Sequence, residues 1–150
     1  MRRADSYESV KASSIQVGDF VYCRSRYYRD QLQLAEVVGL VTEIKRSNFK
    51  LLYPDDKRCW LPREALARVR PELLDYSGFL EKLHYLIKKV HAQECELVSD
   101  AGTHRLSLRI DKITHTISDD LRQFLGEGFV SLTVVPEGMA FMQLELIFQL

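Results

Sequence analysis

The stretch from Val17 to Val69 constrains the fold of this chain most, because it consists of short apolar runs separated by turn sequences. Runs of this length that are rich in β-branched and aromatic residues are typical of β-strands. Turn-forming residues occupy positions 45–48 and 54–57. We therefore predict a small closed β-barrel over residues 15–70. Its expected strands are residues 17–23, 35–44, 49–53, 59–62 and 67–69, with one helical turn at residues 62–66.

Two residues have an expected structural role in this barrel. Gly39 interrupts the long second strand, where a small barrel has to bend sharply. Trp60 is the only tryptophan, and its size predicts a buried anchor more strongly than a ligand contact.

The rest of the chain predicts a different architecture. Residues 1–14 are polar and predict a flexible tail, and Pro71 opens an α+β domain over residues 71–150. From Leu73 to Val90 apolar residues recur at the three-and-four spacing of an amphipathic helix. The fold class is thus mainly β with α+β, an N-terminal barrel followed by an α-β-β-α-β-β domain. The later elements are expected at residues 94–99, 105–110, 118–126, 129–135 and 140–150.

Composition and charge narrow the functional classes. The net charge is zero, but residues 1–70 carry 14 Lys or Arg against 9 Asp or Glu, and residues 71–150 carry 7 against 12. The basic front half is compatible with nucleic acid or an acidic peptide, and also with ordinary solvation. Three widely spaced cysteines indicate reduced thiols. We find no membrane-spanning run and no secretory signal, and expect a cytoplasmic protein, with the nucleus as the alternative.

The segment between the first two strands is the most ligand-like surface in the sequence. It reads Arg24-Ser25-Arg26-Tyr27-Tyr28-Arg29-Asp30-Gln31 and is expected to form a loop. Arginine pairs with phosphate or carboxylate, and tyrosine stacks on bases or lines a cage for a methylated cation. A solvated loop whose tyrosines cover the barrel mouth is the alternative.

The front half resembles Tudor-like domains of the SH3-like barrel class. The resemblance is carried by Val17-Gly18-Asp19, Ala35-Glu36-Val37, the run from Leu51 to Asp56 and the run from Leu61 to Leu66. Many Tudor domains bind methylated lysine or arginine in an aromatic cage. The resemblance implies cage walls at Tyr22, at Tyr27 or Tyr28, and at Tyr53. Asp55-Asp56 departs from the family pattern, which usually has an aromatic residue followed by glycine there.

Three hypotheses for function follow. The first is a non-catalytic interaction module that binds a protein or peptide ligand. The second is nucleic-acid binding through the same segment together with Lys45, Arg46, Lys50, Lys57 and Arg58. An enzyme of unrecognised type ranks last. The candidate ligand-binding residues are Tyr22, Arg24, Arg26, Tyr27, Tyr28, Arg29, Tyr53 and Asp55.

No catalytic, metal or cofactor motif accompanies these residues. The sequence contains no glycine-rich phosphate loop and no nucleophile elbow. The histidines pair with no cysteine at metal-ligand spacing, so we expect neither a metal nor a cofactor. The last strand has no charged tail to protect it, and we expect it to pair with another chain or strand, with a homo-oligomer as one form of this pairing.

Overall fold

The structure is a computed structural model that describes residues 15–34, 38–69 and 79–149. The chain divides into two compact units, Met1–Tyr85 and Leu86–Leu150. The expected tail at residues 1–14 and the expected domain boundary at residues 70 and 71 lie outside the described residues. The fold is mainly β, as predicted, with two antiparallel sheets.

The first unit holds a five-stranded sheet whose strands all pair antiparallel. The sheet order is β4-β3-β2-β1-β5, and a three-residue 3₁₀ turn at Arg63–Ala65 precedes the last strand. Its elements are β1 (Phe20–Cys23), α1 (Arg26–Gln31), β2 (Val38–Lys45), β3 (Asn48–Leu52), β4 (Arg58–Pro62) and β5 (Leu66–Val69).

This sheet curls but does not close. A flat five-stranded sheet would place β4 and β5 about 19 Å apart, whereas the four Cα–Cα steps from Pro62 to Leu66 span at most about 14 Å. The two edges must therefore approach each other at this corner. No ladder between described residues pairs β4 with β5, so the closed cylinder expected from the sequence is not formed by hydrogen bonding. After the 3₁₀ turn, β5 pairs with β1 and not with β4.

The bend of β2 also differs from the expectation. The register of β2 against β3 shifts between Val41 and Glu43, which makes the residue between them, Thr42, the irregular position. Gly39 has another role. A Cβ built there would lie 3.1 Å from the Tyr53 ring, so this glycine allows a close approach of that ring to the backbone.

Apolar side chains fill the interior of the first unit. Alternate residues of β3 and β4 point inward, as their period-two patterns predict. The fully buried members include Val21, Leu40, Val41, Phe49, Leu51, Leu61 and Ala67.

The remaining described elements follow the order helix, strand, strand, helix, strand, strand that the sequence predicts. The division between the two units falls within the first of these helices. They are α2 (Phe79–Lys89), β6 (Glu94–Asp100), β7 (Thr103–Ile110), α3 (Ile117–Leu125), β8 (Phe129–Glu137) and β9 (Phe141–Gln149).

Local signals set several of these boundaries. A two-residue turn at Ala101 and Gly102, both at positive φ, joins β6 to β7 and matches the twist of a hairpin. Gly126, at φ 59°, ends α3 as expected. The start of α3 differs from the expectation, because Thr116 precedes the helix and Asp119 lies within its first turn, where its charge suits the helix dipole.

The second sheet shows that the last strand pairs with two strands of the same chain. Its order is β6-β7-β9-β8, so β9 pairs with β7 on one side and β8 on the other. Pairing between β9 and another chain is therefore blocked along Phe141–Gln149. The edges of this sheet are β6 and β8. None of the described helices has the length and apolar character that crossing a bilayer requires.

Candidate binding surfaces of the first unit

Tyr53 points into the protein and offers no surface to a ligand. It is 2% exposed, and its ring lies against Gly39. Its hydroxyl is buried and makes no well-formed hydrogen bond to the described residues. The cage wall that the Tudor resemblance implies at this position is therefore not available in this structure.

Two buried thiols lie near the Tyr53 hydroxyl, those of Cys59 and Cys23. Burial raises the pKa of Cys59 from 9.0 to about 11, and burial also raises the pKa values of Tyr53 and Cys23. Removal from water disfavours the charged form of each group. These groups are consequently neutral core residues at physiological pH, and the two thiols are poor nucleophiles.

Two further candidate binding residues, Tyr22 and Asp55, lie in different surroundings. Tyr22 is half-buried in β1, and strand alternation places it on the side opposite the buried Cys23. Asp55 lies in the exposed turn after β3, where its Oδ1 accepts a hydrogen bond of 3.2 Å from the backbone N–H of Lys57. Tyr22 is thus half-buried and Tyr53 is buried, and the two do not form exposed walls of a cage.

The segment expected to be a loop contains the helix α1. Ser25 caps it, because its hydroxyl accepts a hydrogen bond of 3.4 Å from the backbone N–H of Tyr28. Arg26 and Asp30, one turn apart, approach to 3.8 Å. The helix is only six residues long and buries none of them, so it has no apolar stripe for a periodicity search to detect.

Helix α1 displays the predicted ligand-binding side chains at the surface. Tyr27 is 66% exposed and meets Tyr28 edge to face, with ring centroids 5.2 Å apart. The guanidinium of Arg24 donates a hydrogen bond of 3.1 Å to the carbonyl of Glu64, whereas Arg26 and Arg29 are exposed. This part of the predicted site is therefore assembled on one short helix.

Lys57 fixes the end of this helix to the turn between β3 and β4. Its ammonium donates to the carbonyl of Leu32 and, at 3.0 Å, to that of Gln33. These carbonyls follow the last turn of α1, where a positive charge complements the helix dipole. Lys57 was expected to contact nucleic acid, but its charge is engaged within the chain.

Trp60 corrects the expectation of a buried anchor. It is 40% exposed and lies opposite Lys50 in the register of β3 and β4. The ammonium of Lys45 is 5.9 Å from the centre of the indole ring. The neighbours Cys59 and Leu61 are buried, so alternation alone points Trp60 outward. Strand alternation is thus a better predictor of exposure at this position than side-chain size.

We call this surface the Trp60 face and define it by Lys45, Lys50, Arg58 and Trp60. Two carboxylates accompany these cations. Glu43 lies opposite Lys50 in the register of β2 and β3, its side chain is 15% exposed, and it is 3.3 Å from the ammonium of Lys45. Asp56 is 3.4 Å from the guanidinium of Arg58 in an exposed pair, which contributes little to stability, so this cation can exchange its partner for a bound anion.

Two histidines of the described region, His84 and His104, have structural surroundings. His84 Nδ1 lies 2.6 Å from the carbonyl oxygen of Gly18, and its ring stacks on Phe20 with centroids 4.8 Å apart. His104 Nδ1 lies 2.7 Å from the Ser99 hydroxyl. Within residues 15–34, 38–69 and 79–149, no three His, Cys, Asp or Glu side chains come together as a metal site would need.

Comparison with known proteins adds no family to this picture: no family model matches the chain, and neither the curated proteins nor the solved structures contain a match. Function must therefore be argued from the side chains themselves.

Proposed function

We propose that the first unit is a non-catalytic binding module of the SH3-like class, related to Tudor-like domains, whose Trp60 face binds single-stranded nucleic acid. The sheet order β4-β3-β2-β1-β5 and the 3₁₀ turn before β5 support the class. The class rests on this strand order together with the sequence resemblance, since no ladder between described residues closes the sheet. The exposure of Trp60 among three cations carries the ligand assignment.

An exposed indole among basic side chains suits a nucleic-acid strand for two reasons. Stacking of a base on an aromatic ring contributes about 1–3 kcal/mol and tolerates any base. Lys and Arg beside the ring neutralise the phosphates that connect successive bases, and this releases counterions. Trp60 supplies the ring, and Lys45, Lys50 and Arg58 supply the charges.

Helix α1 supports a longer path for the same strand. The Lys57 contacts join the end of α1 to the turn from which β4 begins. Tyr27 then offers a second exposed ring, and Arg26 and Arg29 offer further charges. A second exposed ring with cations beside it is what a single-strand binder needs to hold more than one base.

The test uses Trp60 as its own reporter, because the chain has no other tryptophan. Single-stranded RNA or DNA should quench and shift its fluorescence, and the affinity should fall steeply between about 50 and 200 mM salt. An acidic peptide of equal charge serves as the control for charge alone. Unchanged fluorescence at saturating oligonucleotide, or equal response to the peptide, would overturn the assignment.

A protein or peptide ligand remains the second candidate, favoured by the pair Tyr27 and Tyr28 on α1. Two tyrosines at 5.2 Å can hold a methylated ammonium group by cation–π attraction. Binding of a methylated peptide that resists salt, and that is lost in Tyr27→Ala but kept in Trp60→Ala, would establish this function in place of nucleic-acid binding.

A further inference from the structure

The strand β8 is an exposed edge of the second unit. It spans nine residues and pairs only with β9 among the described strands. Val130, Val134 and Val135 are 51%, 40% and 47% exposed. A long, apolar edge presents backbone groups that another strand can pair with.

The two edges of this sheet differ in their protection. The opposite edge, β6, carries acidic side chains at Glu94, Glu96 and Asp100. In β8 no charged residue occurs from Phe129 to Pro136, and Glu137 comes only at its end. Charged residues are a common means of keeping edge strands from pairing. Such protection is present on β6 and missing from most of β8.

Pro136 indicates which backbone groups face the open side of β8. It lies opposite Met142 in the ladder with β9. Proline has no N–H, so it fits an edge strand without loss of a hydrogen bond when its nitrogen points away from the neighbouring strand. Residues two and four positions earlier have the same orientation in a regular strand. Leu132 and Val134 therefore direct their N–H and C=O groups outward.

The sequence of β8 is complementary to itself in an antiparallel arrangement. If Thr133 lies on a two-fold axis, Leu132 of each copy faces Val134 of the other, and these are the residues with outward backbone groups. Thr133 then faces Thr133 of the second copy, and Ser131 faces Val135. No charged side chain opposes a like charge over Val130–Pro136, and a two-fold interface of this kind closes as a dimer.

We propose that β8 pairs with β8 of a second copy of this chain, which joins two four-stranded sheets into one of eight strands. The outward hydrogen bonds of Leu132 and Val134 and the apolar contact between their side chains hold the pair. Strand pairing alone buries a small interface, so the dimer forms reversibly and depends on concentration.

Thr133 allows a selective test. It lies opposite Glu145 of β9. In Thr133→Lys the introduced ammonium therefore has a carboxylate opposite it within the same copy. In a dimer, however, the two introduced ammonium groups would face each other across the proposed axis and repel. The molar mass of the full chain should rise toward that of a dimer from low micromolar to near-millimolar concentration. Thr133→Lys should stay monomeric with an unchanged circular dichroism spectrum, and Thr133→Glu should also be monomeric.

Mixing provides the decisive measurement. Equal amounts of Thr133→Lys and Thr133→Glu should form a mixed dimer, because opposite charges then face each other across the axis. Glu96→Lys, on the other edge, is the control and should dimerise like the parent chain. The proposal is overturned by a parent chain that stays monomeric near millimolar concentration, by a Thr133→Lys variant that still dimerises, or by a mixture that stays monomeric.

Discussion

Gly39 and Tyr53 fit against each other so closely that a Cβ on Gly39 would lie 3.1 Å from the Cε1 and Cζ atoms of the tyrosine ring. The ring is 2% exposed and packs inside the first unit. Gly39→Ala should therefore lower the free energy of unfolding by about 1–3 kcal/mol, the cost of overpacking a core. Urea denaturation followed by Trp60 fluorescence measures this change in the first unit.

Tyr53→Phe is the matched control for the Gly39 variant. It keeps the ring and removes a buried hydroxyl that makes no well-formed hydrogen bond to the described residues. Removing a polar group buried in this way should leave stability unchanged or raise it by about 1 kcal/mol. A neutral Gly39→Ala together with a strongly destabilised Tyr53→Phe would contradict this account of the contact.

Stability should fall at alkaline pH because of the buried Cys59 and Tyr53. Burial raises the pKa of Cys59 from 9.0 to about 11, and that of Tyr53 is raised above its ordinary 10.0. The unfolded chain therefore loses these protons at a lower pH than the folded chain does. The contribution of Cys59 is fully present below about pH 9 and is lost as pH rises toward about 11.

Denaturation midpoints at about pH 8 and about pH 10.5 would measure this dependence. Cys59→Ala removes one of the two groups, so the loss of stability between these pH values should become smaller in the variant. An equal loss in the variant and the parent chain would show that Cys59 has no part in the alkaline transition.

Lys57→Met should loosen helix α1 without unfolding the sheet. The substitution keeps the apolar stem but removes the ammonium that donates to the carbonyls of Leu32 and Gln33. Hydrogen bonds from a charged group contribute about 1.5–3 kcal/mol to stability. Because the Lys57 ammonium is partly exposed, we expect the free energy that holds α1 in place to fall by an amount near the lower end of this range. Amide hydrogen exchange should become faster over Arg26–Gln31 and stay unchanged in β3. The exposed Lys112 gives the control Lys112→Met.

Trp60→Ala should weaken binding of a single-stranded oligonucleotide by about 1–3 kcal/mol, or roughly 5- to 150-fold, because one stacking surface is lost. Its 40% exposure means that the fold should tolerate the change. Fluorescence anisotropy of a labelled oligonucleotide measures the affinity, since the variant lacks the tryptophan signal.

Lys45→Ala combined with Lys50→Ala should reduce the slope of log affinity against log salt concentration by about 1–2. Lys112→Ala, in the second unit, should change neither quantity.

The sequence was informative wherever structure depends on neighbours along the chain. Period-two runs located the strands, Gly102 marked the turn of the β6–β7 hairpin, and Gly126 marked the end of α3. Helix α1 replaces the predicted loop. Its N-cap at Ser25 is a local signal, but its six residues bury no side chain and so show no apolar periodicity that would predict a helix. For the binding surface, the run of arginines and tyrosines correctly predicts the exposure of Arg26, Tyr27 and Arg29. The exposure of Trp60 contradicts its expected burial.

What the sequence determined by itself is which residues share a strand face and where the chain turns. Only the tertiary structure decided which face is covered, because burial depends on segments that are distant in the chain. It placed Tyr53 inside and Trp60 outside, although each is an aromatic residue in or beside a strand. It also placed β9 between two partners and left β8 at the edge, since strand order arises from pairing at long range, which no local pattern encodes.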